Sequence, residues 1–114
     1  MPPEPLKLET APGSAQGILL MRLSGALTLG DLPKLQAAAK AATDPLVVLD
    51  LSGVPYVDSA GLGGIMNFHL SAQKQGRRLA VAAPQQRIAA LMELTKVNTV
   101  LKVYPTVADA EATL

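Results

Sequence analysis

The chain has no cysteine, no tryptophan, one histidine and only 3% aromatic residues. Without cysteine there are no disulfides, no thiolate metal sites and no cysteine nucleophile, and a reducing compartment is weakly favoured. So few aromatics leave no stacking platform for single-stranded nucleic acid. Ten basic residues scattered against nine acidic ones give a net charge of +1, too dispersed to form a footprint for a phosphate backbone. No apolar run approaches the ~18 residues expected of a membrane span. The start, Met1-Pro-Pro-Glu-Pro, lacks the basic and apolar segments of a secretion signal. The expectation is a cytoplasmic protein that neither binds nucleic acid nor inserts into a membrane.

What is present is aliphatic: 49% of the residues are apolar, so the core is built from Leu, Val, Ile and Ala. A length of 114 residues suits one core and one domain, 1–114, with the proline-rich residues 1–5 as a flexible tail. Leu6 to Thr10 alternates apolar and polar, the period of a half-buried strand. A loop over Ala11 to Gln16 leads to a second strand, Gly17 to Ser24, paired antiparallel with the first. A helix is expected from about Asp31 to Ala42, with Pro33 tolerated in its first turn. Leu46 to Leu51 reads as a strand buried on both faces. After a turn marked by Ser52, Gly53 and Pro55, a helix runs from Ser59 to about Gln75, stopped by Gly76. A short strand at Leu79 to Ala83, a helix at Gln86 to Leu94, a strand at Leu101 to Tyr104 and a terminal helix complete the order. Strands alternating with helices imply an α/β fold with helices covering a mostly parallel sheet.

Chemistry concentrates at Asp58-Ser59, where strand, turn and helix meet. A nucleophile elbow needs Gly-x-Ser-x-Gly; Gly61 is present, but Val57 occupies the other glycine position. The only histidine, His69, lies ten residues along the same helix, about 15 Å away by helical rise, and cannot serve Ser59 as a base. Gly25 to Gly30 has the glycine spacing of a phosphate loop, but Asp31-Leu32 stand where Lys-Ser/Thr is required. Asp31, Asp44, Asp50, Asp58 and Asp109 fall in different elements without metal-ligand spacing. No catalytic residue and no metal ligand is assigned. Two readings of Ser59 stay open: a helix cap, or an exposed site for another macromolecule. Gly61, Gly63 and Gly64 favour the second. They place three poor helix formers in the first two turns, at up to ~1 kcal/mol each, and leave the helix mouth bare.

The run Asp50-Leu51-Ser52-x-Val54-x-x-Val57-Asp58-Ser59-Ala60-Gly61-Leu62-Gly63 closely resembles the signature of STAS domains, the sulfate-transporter and anti-sigma-factor-antagonist family. Gln75-Gly76 and Pro105-Thr106-Val107-x-x-Ala110 also look like the family. The resemblance implies a mixed, mostly parallel sheet of four or five strands with about four helices, largely on one face. Among stand-alone members it implies an anti-sigma-factor antagonist in a bacterial partner switch. There, an anti-sigma factor that is also a serine kinase binds the unmodified antagonist and uses ATP to phosphorylate the serine equivalent to Ser59, releasing it. A metal-dependent serine phosphatase restores the hydroxyl, and the antagonist itself is no enzyme and carries no cofactor. The surface so implied comprises Asp58, Ala60, Gly61, Leu62, Gly63, Gly64, Phe68 and Thr28 around Ser59. The sequence departs from the family at Gly25-Ala26-Leu27-Thr28, where many antagonists carry Gly-Glu-Leu-Asp. Loss of both acids leaves an alternative: an unphosphorylated interaction subunit of a lipid-transport ATPase assembly.

Three features stand apart. Phe68 is either the edge of the core or an exposed partner anchor. His69 shares an apolar helix face with Leu62, Ile65 and Met66, which points to a packed histidine rather than a ligand. Arg77-Arg78 reads as a solvated turn, or as a contact for an acidic lipid or partner.

Overall fold

Each strand forms where the apolar pattern places one, and the five join in one sheet in the computed structural model, which describes residues 5–114. The expectation for residues 1–4 of the tail lies outside the described residues. Strand β1 (Lys7–Pro12) pairs antiparallel with β2 (Ile18–Ser24), from Lys7 opposite Ser24 to Pro12 opposite Leu19. β1 runs two residues past Thr10, into what the sequence reads as a loop. Its place at the sheet edge explains this, since an edge strand accepts Pro12 with no lost ladder bond. β3 (Leu46–Gly53) lies parallel between β2 and β4 (Arg78–Ala82), and β5 (Lys102–Tyr104) closes the far edge. Leu46 to Leu51 are all buried, as a strand covered on both faces requires.

The strand order β1-β2-β3-β4-β5 follows the sequence without reversal. Three helices make the crossovers between parallel neighbours: α1 (Leu32–Ala41), α2 (Ser59–Lys74) and α3 (Gln86–Leu94). Every crossover steps in the same direction, so a common right hand puts all three helices on one face. There Leu35 of α1, Ile65 and Phe68 of α2, and Ile88 and Met92 of α3 pack on Met21, Leu23, Leu49 and Val81 of the sheet. The short helix α4 (Val107–Glu111) alone covers the other face, with Ala110 against Ile18, Leu46, Val48 and Ala80. On that face Asp50 is buried, held by Arg22 Nε at 3.2 Å and by the Ser52 amide at 2.9 Å. An order that never reverses has no switch point, the place where open α/β sheets form their ligand crevice.

α1 begins one residue later than its sequence pattern suggests, because a 3-10 turn over Leu29–Asp31 precedes it. α2 ends at Lys74, and Gly76 follows with φ +70, the left-handed stop that only glycine adopts cheaply.

Candidate functional site

The start of α2 is fixed by the sheet. Beyond their strands, the β2 and β3 chains meet once more in a parallel bridge between Leu27 and Val57. The Leu27 amide donates to the Tyr56 carbonyl at 2.9 Å, and the Asp58 amide donates to the Leu27 carbonyl at 3.2 Å. Asp58 then keeps an extended backbone (φ −85, ψ 177), and its Oδ1 accepts the Gly61 amide at 2.7 Å. Its Oδ2 accepts the Leu29 amide at 3.1 Å, tying the α1 approach to the α2 mouth.

Asp58 is therefore the cap of α2, and the capping reading of Ser59 is corrected. Ser59 is already the first helical residue, so its side chain is too far along to close the helix end. The consequence is chemical. Ser59 is exposed, and its hydroxyl has no hydrogen-bond partner among the described residues. The Leu62 amide donates to the Asp58 carbonyl, whereas the Ser59 and Ala60 amides have no intrahelical acceptor. A free hydroxyl thus stands over free N–H groups at the positive end of a sixteen-residue helix.

The other expected surface residues divide. Asp58 and Ala60 are half-buried and Gly63 is exposed, with nothing within 4 Å of where a side chain would begin. Gly61, Leu62, Gly64 and Phe68 are buried. A side-chain carbon on Gly61 would run into the Leu27 carbonyl oxygen, and one on Gly64 would lie 2.6 Å from Leu32 Cδ2. These two glycines are small so that the bridge strand and α1 can pack against α2, not to bare the surface. Phe68, 3% exposed, belongs to the core. Thr28 is half-buried and turned aside, its hydroxyl donating to Asp31 Oδ2 at 3.0 Å.

Sequence reasoning misses the apolar rim. Leu29 is 66% exposed beside Asp58, and Tyr56 and Leu94 are 51% and 81% exposed on the other side. A groove of about 520 Å³ between the α2 mouth and α3 is lined by Tyr56, Ser59, Leu62, Arg87, Leu91 and Leu94. Leu94 was legible as an outlier: it falls about 120° away from Ile88 around α3, off the inward stripe. Among the described residues no group of three or more His, Cys, Asp or Glu side chains is placed to hold a metal ion. No helix of the described residues is long and apolar enough to cross a membrane.

The STAS domain family model matches residues 13–110. The chain belongs to the STAS family. A Thermotoga maritima protein provisionally designated an anti-sigma factor antagonist is 31% identical over 64 residues, 56% of this chain and 57% of that relative. The aligned stretch thus spans a little over half the length of the relative it matches. An anti-sigma factor antagonist from Mycobacterium paratuberculosis superposes with a TM-score of 0.84 at 23% identity, over 96% of this chain and 93% of that one. The anti-sigma factor antagonist SpoIIAA in its unphosphorylated form superposes at 0.67 with 14% identity, over 87% of each chain. At such identities the superpositions establish the shared STAS fold.

Proposed function

We propose that this STAS domain is a cytoplasmic anti-sigma factor antagonist whose binding to an anti-sigma serine kinase is switched by phosphorylation of Ser59. One observation carries the reading: Asp58 takes the capping role, so the adjacent hydroxyl is left exposed and unbonded at the mouth of α2. The names of the Thermotoga and Mycobacterium relatives support the antagonist class. The unphosphorylated form named for SpoIIAA supports a role for phosphate in that protein.

The physics suits a switch. The kinase transfers the γ-phosphoryl of ATP to Ser59 Oγ, releasing ADP and the hydroxyl proton. The product adds about −1.5 to −2 charges at a helix terminus that stabilises an anion by ~0.3–1 kcal/mol, so the fold survives modification. The same charge lies beside Asp58 and in the middle of a rim made of Leu29, Tyr56 and Leu94. An apolar contact that closes over a hydroxyl must desolvate a phosphate instead, which is costly. Two unit charges at 4 Å and an effective dielectric of 20 exchange ~4 kcal/mol, whereas a hundredfold loss of affinity needs only ~2.8. Repulsion at the contact is sufficient without rearrangement. A metal-dependent phosphatase then returns the hydroxyl.

Incubation with a cognate anti-sigma kinase and ATP, followed by peptide mapping, tests the reading. Phosphate on Ser59, absent from Ser59→Ala, is the expected result; phosphate elsewhere overturns it. A second reading is favoured by Ala26 and by Thr28, whose hydroxyl is engaged by Asp31, so that neither supplies an acid at the mouth. It is an unphosphorylated subunit docking on a lipid-transport ATPase assembly. Stable binding to a nucleotide-binding transport subunit, with no modification of Ser59, would select it.

A further inference from the structure

The opposite edge of the sheet carries a second site. At the start of β4 and β5, a cavity of about 390 Å³ is lined by His69, Arg77, Arg78, Lys102, Thr99 and Tyr104, with an apolar wall at the exposed Val100 and the buried Leu46 and Leu79 behind it. No aspartate or glutamate lines it. The one ion pair among the described residues, Arg22 with Asp50, is elsewhere, so the three cations meet no carboxylate.

The polar bookkeeping of this cavity is incomplete in a telling way. Two buried side-chain nitrogens lack a hydrogen-bond partner among the described residues, Arg77 Nη2 and His69 Nδ1, and both residues line this one cavity. Arg77 is otherwise fixed: its Nε donates to the Asp44 carbonyl at 3.0 Å and its Nη1 to Gln75 Oε1 at 2.6 Å. Arg78 is likewise held, donating to the Thr113 carbonyl. An orphaned buried donor such as Arg77 Nη2 costs free energy and calls for a partner, and guanidinium groups match phosphate oxygens in directed, charge-assisted contacts. Arginines already held in place lose little freedom when such a ligand arrives.

We propose that this cavity binds a small phosphate-bearing molecule, its phosphate between Arg77, Arg78 and Lys102 and its apolar body against Val100 and Tyr104. The site lies about 15 Å along α2 from Ser59, by the rise of the ten residues to His69. It stands independently of the switch proposed there.

Titration of the full chain with inorganic phosphate and with phenyl phosphate, followed by NMR of the Arg77 side-chain Nε–H and the His69 ring, tests the site. Both ligands are expected to shift these signals, and phenyl phosphate to bind more tightly because its ring meets the apolar wall. Because Arg77 also holds the Asp44 carbonyl, its removal would test folding as well as binding. The exposed Arg78→Gln and Lys102→Gln are therefore the variants. Each is expected to weaken binding about tenfold or more, Lys102→Gln with an unchanged melting temperature and Arg78→Gln with no more than the small loss from its bond to the Thr113 carbonyl, while Ser59→Ala leaves binding intact. Signals unmoved by both ligands at millimolar concentration, or binding insensitive to both variants, overturns the proposal. So does retention on phosphatidic acid vesicles without binding of either soluble phosphate, which would indicate a membrane surface instead.

Discussion

The inward and outward faces of α2 carry the same residue type for opposite reasons. Gly61 and Gly64 face in, where any side chain would strike the Leu27 carbonyl or the Leu32 side chain. Gly63 faces out into open space. On the inward side glycine is imposed by packing, since two backbones approach more closely than a methyl group allows. On the outward side no contact within the described chain demands it, and alanine would suit the helix better. A position that forgoes helix stability without a packing return is one where function can be sought. It lies one turn from the free hydroxyl of Ser59.

Substitutions can break this comparison in order of effect. Gly61→Ala is expected to cost the most, about 1–3 kcal/mol or more, because the clash is with backbone and not with a flexible side chain. Chemical denaturation measures it, and a loss near zero would remove the packing explanation. Asp58→Ala follows, at about 0.5–2 kcal/mol, since it removes the α2 cap and also the tie to the Leu29 amide. Gly63→Ala should have the opposite sign, raising stability by up to ~1 kcal/mol while weakening partner binding if the bare surface is used. Ser59→Ala should change stability by no more than ~0.5 kcal/mol. A cost near that of Asp58→Ala would mean that the serine shares the capping after all.

Much of the architecture was readable in the residues. The uninterrupted Leu46 to Leu51 run marked the central strand, and Gln86–Leu94 was bounded correctly as α3. The mouth of α2 was readable too, because Asp58-Ser59 falls between a turn and an apolar helix period. The division of labour between them was not, since aspartate and serine are equally good caps and only the backbone bridge from Leu27 to Val57 decides which of them is extended. Nor could the helix period tell Gly61 and Gly64 from an exposed Gly63, because the close approach of Leu27 and Leu32 depends on residues thirty positions earlier in the chain. The cavity at the far sheet edge was invisible for the same reason. Arg77-Arg78 looked like a solvated turn until the fold brought His69 and Lys102 beside it.

The most direct measurement is the affinity of an anti-sigma serine kinase for the unmodified protein, for Ser59→Ala and for Ser59→Asp, at one fixed salt concentration. A charge-operated switch predicts that wild type and Ser59→Ala bind alike, while Ser59→Asp binds tenfold to a hundredfold more weakly, a difference of about 1.4–2.8 kcal/mol. Equal binding by all three proteins would contradict it.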